Sequence, residues 1–106
     1  MQRLTAQQLH DHLRSSQEPP QLIDVREPWE YEIVHLEGAQ LFPLGQLDEL
    51  EETLDPDEEV VLICHHGIRS LQVAHYLEHQ GFTRVINLEG GMDAWARQVD
   101  PKLPTY

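Results

Sequence analysis

Cysteine is nearly absent from this chain, with Cys64 the only one among 106 residues. An internal disulfide is therefore excluded, and a thiol left free fits a reducing compartment, so the cytoplasm is the expected location. Long apolar runs are missing too. No stretch approaches the ~18 apolar residues of a membrane span, and the opening "MQRLTAQQLHDHL" has no apolar core of the secretory kind, so neither membrane insertion nor export is expected. Basic residues are scarce, 7 against 19 acids, giving a formal net charge of -12 and a pI near 4.7. That balance works against non-specific binding of nucleic acid or anionic lipid and favours neutral or basic partners. A small anionic substrate would have to be drawn in by a local field, because the global one repels it. The densest acidic run, "DELEETLDPDEE" at 48–59, reads as a solvated helix face and an acidic turn, with a docking surface for a basic partner as the alternative.

The length suits one domain, residues 1–106, which at this size buries about two-thirds of its unfolded surface without a staple. Thr5 reads as the N-cap of a helix over about 6–15, in which Leu9 and Leu13 recur at i and i+4. "LIDV" is a short buried strand, and "EPWEYEI" a helix with Pro28 in its first turn. A brief extended piece lies between Gly38 and Pro43, and "GQLDELEETL" returns to helical spacing. "EVVLIC" is the strongest strand and "SLQVAHYLEHQGF" the strongest helix, with Val73, Ala74, Tyr76 and Leu77 on one arc and Gly81 at the position that ends it. "RVINL" is a further strand and "EGGMDAWARQV" a turn and last helix. This alternation predicts an α/β fold, a small open and mostly parallel sheet flanked by helices on both faces.

The cysteine stands at the carboxyl end of the most apolar strand, where open parallel sheets bind ligands. Three readings compete there: an inert core residue, a metal ligand and a nucleophile. "CHHGIRS", residues 64–70, is a short loop running into a helix N-terminus, so its backbone N–H groups and the helix dipole can both favour a thiolate. Gly67 supplies positive φ and close backbone approach. His65 and His66 either guide an anion when protonated or merely occupy the rim. Arg69 either reaches the anion or locks the loop by pairing with an acid. Ser70 is expected to cap the helix and to donate a hydrogen bond to the sulfur.

These residues resemble the C-x-x-G-x-R-S active-site loop of single-domain rhodaneses, sulfurtransferases that carry sulfur as a cysteine persulfide. "LIDVREPWEYEIVHLEGA" and "VINLEGGMDAW" resemble two further blocks of that family, in family order, with Val34 standing where a glycine is usual. The closing "AWARQVDPKLPTY" is similar to the end of rhodanese domains fused to adenylyltransferases that hand sulfur to carrier proteins. The resemblance implies the rhodanese fold, catalytic duty for Cys64, and a persulfide cradle of His65, His66, Gly67, Ile68, Arg69 and Ser70. It implies a small anionic sulfur donor such as thiosulfate, a thiol, cyanide or sulfur-carrier protein as acceptor, and neither metal nor organic cofactor. Asp24 and Arg26, matching the family's "DVR", either shape the site or form a loop ion pair that supports the fold.

Other readings are weaker. Dual-specificity phosphatases follow C-x-x-x-x-x-R, whereas only four residues separate Cys64 from Arg69. "HYLEH" matches the H-x-x-E-H zinc pattern, but His75 and His79 project onto a polar arc and no third ligand is evident. His10 and His12 do not share a helix face. Trp29 and Trp95 read as core or pocket-wall residues. A mercaptopyruvate-type enzyme would carry small residues after the cysteine. A non-enzymatic rhodanese-like interaction module would be expected to lack the cysteine altogether.

Overall fold

The computed structural model describes residues 1–106. Five strands form one sheet, β1 (Gln2–Leu4), β2 (Gln21–Asp24), β3 (Gln40–Leu41), β4 (Val60–Ile63) and β5 (Val85–Leu88). The order across it is β1-β5-β4-β2-β3, and every pairing is parallel. The helices are α1 (Ala6–Ser15), α2 (Pro28–Ile33), α3 (Leu47–Thr53), α4 (Ile68–His79) and α5 (Gly91–Gln98), with a 3-10 turn at Leu44–Gln46 leading into α3. No helix is long and apolar enough to cross a membrane.

Side chains alternate across each strand, so β4 feeds two cores at once. Val60, Leu62 and Cys64 join Leu50 of α3, Leu54 just after it, and Val73, Ala74 and Leu77 of α4 on one face. Val61 and Ile63 join Ala6 and Leu9 of α1 and Met92 and Trp95 of α5 on the other. All four residues of β4 are fully buried, which is why this strand reads as an unbroken apolar run. The helices on both faces thus follow from the sequence pattern.

Local chemistry sets the helix starts. Thr5 Oγ1 accepts from the Gln8 amide at 3.2 Å while the Gln8 side chain accepts from the Thr5 amide at 2.9 Å, a reciprocal cap. Pro28 opens α2 as expected. Ser70, by contrast, does not cap α4. Gly67, with φ of 94°, takes that position and begins the helix at Ile68, leaving Ser70 inside the first turn. Strand β1 carries no alternating pattern in "QRL" and is held by pairing with β5. Trp29 is 59% exposed rather than in the core. Val34 sits at φ -162°, extended backbone open to any residue, so the missing glycine costs nothing there.

Leu77 joins α4 to the sheet and is fully buried, so Leu77→Ala is expected to destabilise the protein by about 2–5 kcal/mol through the cavity left behind. The midpoint of urea unfolding, with an unchanged slope, measures it.

Candidate active site

The carboxyl ends of β2, β4 and β5 meet at one edge of the sheet, and the residues singled out from sequence gather there. Cys64, 1% exposed, follows β4 directly. Its Sγ accepts the Gly67 N–H at 3.1 Å and the Ser70 N–H at 3.4 Å, so the first turn of α4 aims backbone donors at the sulfur. The thiol donates to Ser70 Oγ at 3.3 Å, and the Ser70 hydroxyl donates in turn to Asn87 Oδ1 at 2.5 Å. Ser70 therefore touches the sulfur as anticipated, but as an acceptor whose own proton is engaged by Asn87. The Asn87 amide also donates to the Gly67 carbonyl at 3.2 Å and to Glu89 Oε2 at 2.7 Å, tying the loop to β5.

A second clamp comes from α5. The amides of Met92 and Asp93 donate to the carbonyls of Cys64 at 2.8 Å and His65 at 3.0 Å. These N–H groups belong to a helix N-terminus, where no intrahelical acceptor exists. Because each peptide is planar and trans, drawing those carbonyls toward α5 turns the amides of His65 and His66 the opposite way. Gly91 makes the approach possible, since a Cβ there would lie 2.3 Å from the Cys64 carbonyl oxygen and 2.5 Å from that of His65. At Gly67 a Cβ would meet the Gly90 nitrogen at 3.0 Å.

The charged residues pair off. Asp24 and Arg26, both fully buried, share two side-chain hydrogen bonds at 2.8 and 2.6 Å, and Arg26 reaches the Val34 carbonyl at 2.6 Å. Burial opposes the Arg26 charge, but the bonds to Asp24 and Tyr106 outweigh it and raise its pKa. Arg69 binds Glu30 through both guanidinium arms at 2.7 and 2.9 Å, so in this structure it is paired with an acid. That bidentate grip pushes Arg69 above its ordinary range. It also draws Glu30 down to about 2 from an ordinary 4.5, with Tyr106 adding a further hydrogen bond.

His65 stacks on Tyr106 with ring centroids 3.9 Å apart and packs against His66 at 3.9 Å. Burial and then the neighbouring His66 lower the His65 pKa from its ordinary value. His66 and Ile68 are exposed, the latter by 70%, and line the rim. His65, His66 and Asp93 offer one donor atom each within 4.8 Å of one another. Asp93 is already engaged by the Arg97 Nε–H at 3.0 Å. His75 and His79 lie exposed on α4, far along the helix from the loop.

Sequence reasoning did not single out Glu30, Asn87, Gly91 or Tyr106. An asparagine inside the apolar "VINL" was a usable signal for one of them. The others are ordinary residues until the fold assembles them.

A lone cysteine whose sulfur accepts two backbone N–H groups, at the carboxyl end of a central parallel strand, defines the class: an α/β protein with a thiol-bearing loop at a helix N-terminus. A profile of the rhodanese-like domain matches residues 5–98, and the chain belongs to that family. It is 46% identical over 81 residues to the "Putative sulfurtransferase YtwF" of Bacillus subtilis, covering 76% of this chain and 78% of that protein. It is 38% identical over 105 residues to the "Probable adenylyltransferase/sulfurtransferase MoeZ" of Mycobacterium tuberculosis, covering 97% of this chain and 26% of that one. A crystal structure of a rhodanese-like domain protein from Staphylococcus aureus superposes with a TM-score of 0.84 at 31% identity, over 100% of this chain and 99% of that one. The chain spans only 24% to 36% of the length of several curated relatives that it matches.

Gly91→Ala is expected to disorder the cysteine loop, because the added methyl group must displace the backbone at Cys64 and His65. The amides of Met92 and Asp93 would then lose hydrogen-exchange protection, while those of α1 keep theirs. The Glu30 carboxyl gives a pH signature. Because its folded pKa is depressed, its contribution is complete above about pH 4.5 and is lost as the pH falls toward 2. Between pH 5 and 3 wild type should lose about 1 kcal/mol more stability than Glu30→Gln, a figure reduced for the partial exposure of Arg69. Urea unfolding at each pH reads the difference.

Proposed function

We propose that the protein is a sulfurtransferase that moves a sulfane sulfur through a persulfide on Cys64. The observation that carries this reading is the single buried cysteine whose sulfur accepts two backbone N–H groups from the first turn of α4. Hydrogen bonds of this kind favour a negative sulfur over a neutral one. Membership of the rhodanese-like family, and relatives named as sulfurtransferases, support sulfur as the cargo.

The chemistry is a double displacement. The Cys64 thiolate attacks the outer sulfur of a donor such as thiosulfate; a new S–S bond forms, the donor's S–S bond breaks, and sulfite leaves with the electron pair. A nucleophilic acceptor, a thiol or cyanide, then attacks the outer sulfur, and the S–S bond to Cys64 breaks to return the thiolate. Toward the activated C-terminus of a sulfur-carrier protein the roles reverse: the outer sulfur attacks the carbonyl and expels its leaving group, and two thiols, oxidised to a disulfide, then release the thiocarboxylate and the Cys64 thiolate. Loop amides not engaged at Sγ, those of His65 and His66 turned away from α5 among them, are available to the negative outer sulfur. Asp24 and Arg26 act in this scheme as a buried strut, and Arg69 as the lock of the loop. Neither donates a proton.

A second reading, a relay that serves protein acceptors and is slow with small ones, is favoured by the exposed apolar residues Ile68 and Trp29. Its similarity to a domain of an adenylyltransferase/sulfurtransferase points the same way.

Incubation with thiosulfate followed by intact-mass measurement should add one sulfur atom to wild type and none to Cys64→Ala. Loading by no sulfane donor would sink the sulfurtransferase reading. Equal turnover to cyanide and to a carrier protein would count against the relay.

A further inference from the structure

Tyr106 lies 80 residues from Arg26 in sequence, yet it occupies the centre of the polar network beside the cysteine loop. Its hydroxyl accepts from Arg26 Nη1 at 2.8 Å and donates to Glu30 Oε2 at 2.8 Å, so it stands between the Asp24–Arg26 pair and the Glu30–Arg69 pair. Its ring stacks on His65 at 3.9 Å with an interplanar angle of 11°, and meets Trp29 edge-on at 5.9 Å. The segment that delivers it is folded back by a turn in which the Leu103 amide donates to the Asp100 carbonyl at 3.1 Å. Leu103 and Tyr106 both pack against the core face that carries α1 and α5.

Resting on the sulfur-transfer reading, we propose that Tyr106 is a positioning residue of the site with two separable functions. The hydroxyl aims Glu30 at Arg69 and so fixes the one guanidinium at the loop that solvent reaches. The ring holds His65 in place and limits access to Cys64. Several features support this division. Arg26 is fully buried and claimed by Asp24, so Arg69, with a side chain 33% exposed, is the arginine an incoming anion can feel. The Glu30 carboxylate is held by Arg69, by the phenol and by the Glu27 N–H at 3.1 Å. Without the phenol Oε2 keeps only Arg69, and Arg26 Nη1 keeps only the long contact to the Glu30 carbonyl at 3.4 Å. Burial, helped by the bond to Glu30, pushes the Tyr106 pKa up to about 12, so the phenol keeps the proton it donates. His65 has no other stacked partner than His66, which is itself exposed and gives no rigid support.

Two variants and two readouts test both functions. Tyr106→Phe keeps the ring and removes the hydroxyl; it is expected to raise the KM for thiosulfate about tenfold, the size of one hydrogen bond to a charged group, with kcat little changed. Alkylation of Cys64 by iodoacetamide, a neutral probe, should stay at the wild-type rate in this variant. Tyr106→Ala should show the same rise in KM and, in addition, alkylation faster by about fivefold or more. A purely structural tyrosine would lower Tm in both variants and leave KM where it was. A wild-type KM in Tyr106→Phe overturns the proposal, as does wild-type alkylation in Tyr106→Ala. Should Tyr106→Ala fail to fold, Tyr106→Leu serves for the alkylation arm with the same two outcomes. Alkylation does not depend on sulfur transfer, so a wild-type protein that no sulfane donor loads refutes the transferase reading and still leaves the access function measured.

Discussion

Two hydrogen bonds hold the site in its working shape, those from the Met92 and Asp93 amides of α5 to the carbonyls of Cys64 and His65. Each solves a problem for the other partner. A helix N-terminus has amides without intrahelical acceptors, and a loop that is to surround an anion must send its carbonyls elsewhere. Joining the two satisfies both and leaves the opposite edge of the loop peptides facing inward. Gly91 is the steric condition for this contact, because a side chain at that position would overlap the loop backbone. The donors supplied by Gly67 and Ser70 complete the ring from the α4 side, and Asn87 fixes both the Gly67 carbonyl and the Ser70 hydroxyl. Three elements that follow or flank β4 and β5 thus converge on one sulfur.

The electrostatics of this arrangement differ from those of an ordinary anion site. In a chain of formal charge -12, the two arginines nearest the loop are each matched to a carboxylate, Arg26 to Asp24 and Arg69 to Glu30. The local field at Cys64 therefore comes chiefly from oriented N–H dipoles and the start of α4, not from uncompensated cations. Such a field acts over a few ångströms. In the proposed sulfur transfer it would act on the charge of a seated persulfide, while exerting little pull on anions at a distance. The acidic surface beyond it repels them, which suits an acceptor that is recognised by contact rather than steered from afar.

Much of this was legible in the sequence because the central parts are contiguous. "VVLI", the loop and the helix after it stand in one stretch, so periodicity and the glycine were enough to place Cys64 at a strand end. Val73, Ala74 and Leu77 are buried and Gln72, His75 and His79 exposed, as the helical projection requires. The failures have physical reasons. Ser70 is a good capping residue, but the positive φ of Gly67 started the helix earlier and made the serine an interior group. Strand β1 is specified by its partner β5 and not by its own three residues. Glu30 was one acid among nineteen, and only the fold sets it against Arg69. Gly91 was seen as part of a turn, whereas its demand is for space near a loop 27 positions earlier, which no local pattern encodes. Tyr106 belongs to the same group: its partners are fixed by where the segment after α5 folds, not by its neighbours in sequence.

The size of the ring bears on what it can hold. Only four residues separate Cys64 from Arg69, and within that span the Gly67 amide already lies 3.1 Å from Sγ and the Ser70 amide 3.4 Å. With both guanidinium arms of Arg69 on Glu30, its partly exposed charge can be felt by an arriving donor, but no arm is left free to grip the oxygens of a phosphoryl group bonded to the sulfur. A phosphoryl group needs both room for its three outer oxygens and a matching cation. A persulfide needs neither, since it adds a single atom about 2.05 Å from Sγ, and that outer atom carries one negative charge. The short loop, the locked arginine and the dipole-built field are each unsuited to phosphate, and all three are consistent with one additional sulfur atom.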